Sequence, residues 1–275
     1  MCLAQFRQRS NFSTEQYRDT HLGMIRKLIN LPAAYGLPRR RYCVMCEHKV
    51  RRFMPYRGGK PPDLMRALDT IGSDVKNFEC PRCGAHDRER HLLMYLERTG
   101  LLADMHGKSV LHFAPEARLA PRIVDVIPAR YVPCDLHPTS PDVLRVDMLH
   151  MQFADQSFDL VIASHVLEHV DDDLIALNEI HRVLKPGGYA ILQTPYSARL
   201  HHTWRDSGID TDEARLQAYG QTDHVRLFGR DIFDRIVAAG FECCMQQHSA
   251  LLKDVDPIKA GVNAAEPFFL FRKAE

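Results

Sequence analysis

The stretch FDLVIASHVLEHVDDDLIALNEIHRVLKPGGYAILQTP, residues 158–195, decides the fold class. It reads as an apolar strand (FDLVIAS), an acidic turn, an amphipathic helix and a second apolar strand (GYAILQT). Lys185-Pro186-Gly187-Gly188 ends the helix and turns into the second strand, where glycine supplies positive φ. A strand, a helix and a strand in this order predict two parallel strands of one sheet.

The same alternation extends to both sides of this stretch. Three apolar strands precede it (SVLHF, ARYVPC and VLRVDM), and Phe241–Gln246 and the terminal PFFLFRK follow as a predicted antiparallel edge hairpin. The fold class predicted is therefore α/β, a Rossmann-like, mostly parallel, seven-stranded sheet with helices on both faces. Sites in such sheets lie beyond the carboxyl ends of the strands, so the residues that follow each strand are the candidates for function.

The motifs FDLV, VLEH and RVLKPGG within residues 158–195 together resemble the class I S-adenosylmethionine-dependent methyltransferases, especially the group that includes the ubiquinone and menaquinone methyltransferases. The resemblance covers residues 108–195 well and the remainder loosely. It implies a methyltransferase that uses S-adenosylmethionine. The wider pattern, a cysteine ribbon followed by the motif HFAPE, is similar to a subgroup of bacterial methyltransferases.

The first strand departs from the pattern of that family. No glycine occurs from Ser109 to Pro186, and the strand runs into Ala114-Pro115-Glu116. In the alignment with the family, His112 stands where an acidic residue is usual, Ala114 replaces the first glycine and Glu116 the second. S-adenosylmethionine has no pyrophosphate that requires close backbone approach, so the small Ala114 is sufficient. We expect Glu116 to bind the ammonium of the cofactor; the alternative is a lost cofactor site.

Acidic residues also follow the next two strands. Asp135, followed by Leu136, lies 23 residues beyond His112, where a carboxylate can accept from both ribose hydroxyls of a nucleoside. Asp147-Met148 follows the third strand, and the resemblance implies that this pair meets the adenine. We therefore expect these positions to bind the cofactor.

The residues after the fourth strand are expected on the reacting side. Ser164 and His165 come directly after it, and His165 is the first candidate for a general base or substrate contact. Glu168 and His169 belong to the VLEH motif and are expected to shape the turn, with His169 in contact with the cofactor.

A polar insertion over residues 196–228 has the character of a lid. His224 and Arg226 share one face of an extended segment and could bind an anionic group of the substrate; the alternative is that Arg226 pairs with a local acid. His201 and His202 suggest a second metal site. Adjacent residues in an extended segment point in opposite directions, which argues against such a site.

Four cysteines form two pairs, Cys43-Val-Met-Cys46 and Cys80-Pro-Arg-Cys83, with 33 residues between them. Four thiolates suit a tetrahedral structural zinc ion and leave no open coordination position for chemistry. Rubredoxin-like iron is the alternative metal, and two pairs argue against a redox dithiol. The domain organisation predicted is a helical segment over 1–40, a zinc ribbon over 41–90 and the methyltransferase domain over 91–275.

Charge divides the chain in two. Residues 1–108 carry 20 Lys and Arg against 11 Asp and Glu, whereas the remainder carries 16 against 24. The helix expected from Ser13 to Ile29 has a basic polar face, which is compatible with packing on the main domain or with peripheral membrane contact. No apolar run is long enough to span a bilayer, and the cysteine usage fits a reducing cytoplasm.

Three functions remain open from the sequence. The first is methyl transfer to an oxygen or nitrogen of a small molecule or glycan precursor. The second is RNA methylation, in which the basic ribbon contacts phosphate. The third is a non-catalytic scaffold, and the sequence is also compatible with a homodimer.

Overall fold

The computed structural model describes residues 30–275. The helix expected over residues 13–29 lies outside this range, and residues 30–35 are helical. The strands are β1 Arg41–Cys43, β2 His48–Val50, β3 Thr70–Ile71, β4 Ser109–Phe113, β5 Arg130–Asp135, β6 Leu144–Arg145, β7 Phe158–Ala163, β8 Leu184–Ile191, β9 Tyr196–Ser197, β10 Phe241–Cys243 and β11 Leu270–Lys273. The helices are α1 Asp63–Ala67, α2 Asp87–Thr99, α3 Leu101–Asp104, α4 Leu119–Asp125, α5 Asp173–Val183, α6 Asp212–Tyr219, α7 Ile232–Ala238, α8 His248–Leu251 and α9 Pro257–Ala260.

Seven strands form the central sheet, in the order β10-β11-β8-β7-β4-β5-β6. The pairs of β7 with β8, β4 with β7, β4 with β5 and β5 with β6 are parallel, and β11 is antiparallel to both of its neighbours. The predicted fold class and the predicted antiparallel hairpin at the sheet edge are confirmed. The third predicted strand is shorter than expected, because only Leu144 and Arg145 pair with β5.

Alternate side chains of each central strand face two separate cores. In β7, Val161 and Ala163 pack in one core, with Ala176 and Ile180 of α5, while Leu160 and Ile162 pack in the other. Helices α2 and α4 cover the second face through residues such as Leu93 and Ile123. Because successive residues of a strand point to opposite faces, a strand apolar at every position is buried on both sides.

The glycine pair predicted to turn the chain lies inside β8. Gly187 has φ +73°, and the register between β7 and β8 shifts at this point. A Cβ on Gly188 would lie 2.9 Å from the carbonyl oxygen of Lys185 and 3.1 Å from that of Asp159. The pair therefore forms a bulge that brings the chain from α5 directly into the sheet.

The cysteine-bearing segment is continuous with the main domain. The predicted boundary at residue 90 falls inside α2, a single helix from Asp87 to Thr99. Arg41 in β1 donates to the carbonyl oxygen of Ile258 in α9 at 2.7 Å. The segment over 41–90 thus packs on the domain of the central sheet without a linker between them.

Candidate functional site

The turn after β4 is made without glycine. Ala114 adopts φ +45°, in the left-handed region, and its N–H donates to the carbonyl oxygen of Cys134 in β5 at 2.8 Å. Alanine is the smallest side chain that carries a Cβ, so its cost in this conformation is only about 1–2 kcal/mol. Ala114 thereby makes the sharp turn that a glycine makes elsewhere, and the following residues Pro115 and Glu116 lie at the carboxyl edge of the sheet.

Glu116 is held by the residue that replaces the usual acid. Its Oε2 lies 2.8 Å from Nε2 of His112, and Nδ1 of His112 lies 2.9 Å from the hydroxyl of Tyr131. A carboxylate only accepts, so His112 Nε2–H donates to Glu116 and the Tyr131 hydroxyl donates to Nδ1. Burial alone would raise the pKa of Glu116, but the His112 ring lowers it below the ordinary value. The turn therefore presents a fixed, ionised carboxylate.

The acidic residues at the next two strand ends are ordered by their own turns. Asp135 accepts from the N–H of His137 at 2.8 Å, and Asp147 accepts from the N–H of Leu149 at 2.9 Å. Leu136, beside Asp135, is 46% exposed and offers an apolar surface at the same edge. Met148, in contrast, is buried in the core and packs below the edge, which does not favour the expected contact with adenine.

His165 lies between two buried carboxylates at the end of β7. Ser164 before it is buried, and His165 itself has φ +56° and donates its backbone N–H to the carbonyl oxygen of Gln193 at 2.7 Å. Its Nδ1 lies 3.3 Å from Oε1 of Glu168, and its Nε2 lies 3.6 Å from Oε1 of Glu266.

This arrangement shifts the pKa of the His165 imidazole. Burial and the nearby Arg88 would lower the pKa of the imidazole, but the two carboxylates raise it above its ordinary value. Burial alone would raise the pKa values of Glu168 and Glu266, yet His165 beside them brings both well below the usual range. The two carboxylates thus stabilise the protonated imidazole of His165, which favours a substrate contact over the predicted role as general base.

Two further predicted residues lie next to this ion pair. His224 is buried, with Nε2 4.0 Å from Glu168 Oε1, and the His169 ring packs edge-on against it at a centroid distance of 4.7 Å. Glu168, His169 and His224 come together here, although His224 is more than fifty residues away in sequence.

Arg226 lies in the interior, beside the residues that follow His169. Its guanidinium is ion-paired with Asp173 and donates to the carbonyl oxygens of Val170 and Asp171 at 2.7 Å. It is 1% exposed. These contacts favour the structural alternative, in which Arg226 fixes the start of α5, over the predicted binding of a substrate anion.

Several polar residues of the site were not predicted. Glu266 precedes β11, and its Oε2 lies 3.5 Å from Nδ1 of His91 in α2, whose Nε2 lies 2.9 Å from Nδ1 of His248. Arg88, half-buried at the start of α2, is close enough to Glu116 and His165 to lower the pKa of both. These residues come from segments outside the recognised motifs, and no local pattern in the sequence marks them.

The insertion predicted as a lid, residues 196–228, packs against residues 63–73, and we call the two segments together the cap. Strand β3 pairs with β9, and Met65 of α1 packs against Ala218 and Tyr219 of α6. His201 and His202 are both exposed, and Nδ1 of His201 lies 2.7 Å from the guanidinium of Arg230, which does not favour a second metal site on this pair. The expected insertion is thus anchored by the segment that follows the first cysteine pair.

The four cysteines converge as predicted. Sγ of Cys43 lies 3.8 Å from Sγ of Cys83, and Sγ of Cys46 lies 4.0 Å from Sγ of Cys80. All four sulfurs lie within 4.8 Å of one another. Sulfurs on a tetrahedral zinc ion with Zn–S bonds of about 2.3 Å are separated by about 3.8 Å. The donor set and its spacing fit one tetrahedral metal ion.

Comparison with known proteins identifies part of the chain. Residues 118–192, from α4 through β8, match a family model described as a methyltransferase domain. The uncharacterized protein YafE of Escherichia coli is 38% identical over 76 residues, which cover 28% of this chain and 34% of YafE. Demethylmenaquinone methyltransferase of Staphylococcus epidermidis is 49% identical over 45 residues, 16% of this chain and 19% of that protein.

Among solved structures, an S-adenosylmethionine-dependent methyltransferase from Mesorhizobium loti aligns with a TM-score of 0.42 and 16% identity, over 65% of this chain and 95% of the other. The chain spans about a third or less of the length of the two curated relatives. The family match is to residues 118–192, which run from α4 through β8 of the seven-stranded sheet. Within residues 30–275, no helix is long and apolar enough to cross a membrane.

Proposed function

We propose that this protein is an S-adenosylmethionine-dependent methyltransferase that methylates an oxygen or nitrogen of a small molecule or glycan precursor. The observation that carries the proposal is the Glu116 carboxylate, held 2.8 Å from His112 at the end of the first strand of the sheet. The family pattern has an acidic residue on the strand, at the position of His112. Here Glu116 supplies that negative charge from the turn.

The residues at this edge fit the chemical groups of the cofactor. The methionine end carries an ammonium, which suits Glu116, and a carboxylate, which suits the half-buried guanidinium of Arg88. Asp135 has a second carboxylate oxygen for the ribose hydroxyls, and Leu136 offers an apolar contact for adenine. Asp147 is about half exposed, so its carboxylate is accessible to the exocyclic amine.

When bound, the cofactor supplies an electrophilic methyl group on a sulfonium. The chain aligns the acceptor and excludes water. The cap contacts the loop after β7, since the N–H of Val225 donates to the carbonyl oxygen of Glu168 at 3.0 Å. His165, between Glu168 and Glu266, is the candidate for contact with the acceptor.

We further propose that the four cysteines hold a structural zinc ion. The same clustered thiolates are compatible with iron, and metal analysis of the purified protein distinguishes the two. In either case the ion orders a segment with a small apolar core of its own, formed by Val50, Phe53 and Ala85 with the cysteines.

Calorimetric titration with S-adenosylhomocysteine, with zinc quantified on the same sample, tests the proposal. We expect micromolar binding by the wild type, and at least tenfold weaker binding by Glu116→Gln, which keeps the size of the side chain and removes its charge. Glu213→Gln, an exposed position on α6, is the matched control and should bind as the wild type does. Absence of binding in zinc-replete wild-type protein would favour a non-catalytic scaffold, and wild-type affinity in Glu116→Gln would refute the role of that carboxylate.

One observation favours RNA as the alternative acceptor. Arg39, Arg40, Arg51 and Arg52 are exposed around the first cysteine pair. Such a basic surface suits phosphate contacts, and RNA binding that weakens steeply with salt would support this alternative. If the protein does not bind RNA even at low salt, this alternative is excluded.

A further inference from the structure

Three side chains at the reacting edge of the sheet form a cluster outside the four-cysteine site. Glu168 and His169 lie in the loop after β7, and His224 lies after α6 in the cap; the N–H of Val225 donates to the carbonyl oxygen of Glu168 at 3.0 Å and joins the two segments. One ligand atom from each of the three residues lies within 4.8 Å of the others.

Both imidazoles are oriented by backbone carbonyl groups. Nδ1 of His224 lies 3.0 Å from the carbonyl oxygen of Tyr219, and Nδ1 of His169 lies 3.3 Å from that of Asp223. Nδ1–H donates to the carbonyl in this geometry, and in the neutral tautomer that this fixes, Nε2 carries the lone pair. Metal-binding histidines are commonly held in this way, with the second nitrogen donating to a carbonyl or carboxylate.

The cluster also contains buried polar atoms with unfilled capacity. Among the described residues, Nε2 of His224 and Oε2 of Glu168 have no hydrogen-bond partner. His224 and Glu168 are 4% and 1% exposed. The distance of 4.0 Å between His224 Nε2 and Glu168 Oε1 is too long for a hydrogen bond. Bonds of about 2.1 Å at tetrahedral or octahedral angles separate two ligand atoms by about 3–3.5 Å, so a bound ion would draw these two atoms together by about 0.5–1 Å.

We propose that Glu168, His169 and His224 bind a divalent transition-metal ion at the reacting edge. Two imidazoles and one carboxylate suit ions such as Zn²⁺, Mn²⁺ and Fe²⁺. Three protein ligands leave positions for water or substrate, unlike the four thiolates of the cysteine site. A metal ion would also compensate the charge of Glu168, because His165 contacts only one of its two oxygens, at 3.3 Å.

The site deepens the proposed function, on which this part of the inference rests, and favours oxygen as the methylated atom. A hydroxyl of the acceptor bound to the ion has a lowered pKa and can lose its proton to solvent. The acceptor oxygen then forms a bond to the methyl carbon, the carbon–sulfur bond breaks, and its electron pair remains on sulfur. The substrate class is therefore a hydroxyl-bearing molecule whose oxygen can reach the metal.

Mn²⁺ is the probe, because it prefers nitrogen and oxygen ligands to thiolates and should leave the cysteine site undisturbed. The full chain is loaded with one equivalent of zinc, which the four thiolates bind, and is freed of excess zinc. Titration of this sample, followed by the electron paramagnetic resonance signal of free Mn²⁺, gives stoichiometry and affinity. We expect one Mn²⁺ per chain in the wild type, and at least tenfold weaker binding in His224→Asn and His169→Asn. In both variants the side-chain amide can still donate to the backbone carbonyl that orients the ring.

His202→Asn, an exposed histidine of the cap, is the matched control and should bind Mn²⁺ as the wild type does. His224 is buried, so its variant needs a check of folding; His169 is about one-third exposed, and its variant provides the test if His224→Asn does not fold. Absence of stoichiometric Mn²⁺ binding in the wild type, or unchanged affinity in folded His169→Asn, overturns the inference.

Titration with S-adenosylhomocysteine separates this inference from the proposed function. Cofactor binding without Mn²⁺ binding refutes the metal site and leaves the methyltransferase proposal in place. Binding of Mn²⁺ without binding of S-adenosylhomocysteine supports the metal site and removes the proposed role for it in methyl transfer.

Discussion

We expect the loss of Arg90 to destabilise the packing of the cysteine segment on the main domain. It lies in α2, fully buried, with its guanidinium 4.0 Å from the centre of the Phe53 ring. Two of its hydrogen bonds reach α9 and the residue after it, and three reach the cysteine segment. The acceptors are the carbonyl oxygens of Asn77 at 2.6 Å, Phe78 at 3.3 Å, Ala85 at 2.7 Å, Ala260 at 3.2 Å and Gly261 at 2.6 Å.

The expected magnitude follows from these contacts. A hydrogen bond from a charged group contributes about 1.5–3 kcal/mol, so five give a gross gain of about 10 kcal/mol. Desolvation of the guanidinium offsets much of this gain, and loss of one partner from a buried charged network costs about 3–5 kcal/mol. We therefore expect Arg90→Met to lower the free energy of unfolding by about 4 kcal/mol, because methionine fills much of the volume but leaves the carbonyl groups unpaired.

Urea denaturation of zinc-replete protein measures this loss. With an m-value of about 3 kcal/mol per molar, the midpoint should fall by more than 1 M. Arg122→Met is the control, since Arg122 is partly exposed and its ion pairs with Glu47 and Glu97 are 3.5 Å long; its expected cost is below about 1 kcal/mol. A loss for Arg90→Met no larger than that of the control would refute the reasoning.

Three other perturbations have defined outcomes. Burial raises the pKa of Asp87 to about 6, whereas the pKa of Asp in an unfolded chain is about 3.9. The folded state therefore holds the proton to higher pH than the unfolded state. As the pH rises from about 4 to about 6, the free energy of unfolding should fall by about 3 kcal/mol. Asp87→Asn should remove this slope in denaturation midpoints measured from pH 4 to 8, and an unchanged slope would contradict the assignment. Gly261→Ala should lower the free energy of unfolding by about 2 kcal/mol more than Gly107→Ala does, measured by thermal unfolding. Both glycines have positive φ, but only at Gly261 would a Cβ lie 2.3 Å from the Phe53 ring. Equal losses in the two variants would argue against that packing. Cys80→Ser should reduce the bound zinc found by metal analysis, and full zinc content in this variant would speak against the four-cysteine site.

The sequence was sufficient to predict the succession of strands and helices along the chain, because the central strands are largely apolar and polar turns separate them from the helices. Strand β7 and the helix after it are of this kind, and so the parallel sheet with helices on both faces is confirmed. The convergence of Cys43, Cys46, Cys80 and Cys83 was also predictable, because only a common site explains two such pairs.

The polar interior of the site was not predictable. Glu266 and His91 meet near His165 through folding of distant segments, and neither belongs to a motif. The spacing of Arg226 from His224 in the sequence is compatible with two roles, binding of a substrate anion and pairing with Asp173. Only the burial of Arg226 in the structure distinguishes these roles. Residues 63–73 gave no sign that they support the cap, since strand β3 is two residues long.

The position of β11 has a consequence for synthesis on the ribosome. This strand lies between β8 and β10, and the Glu266 carboxylate beside His165 is carried just before it. A nascent chain emerges with its amino end first, so the cysteine segment, the strands β4 to β8 and the cap are all synthesised before the sheet can close. Until then His165 and His91 lack one carboxylate partner, and β8 has an open edge. Completion of the sheet and completion of the buried charge network are therefore one event, timed by the final residues of β11.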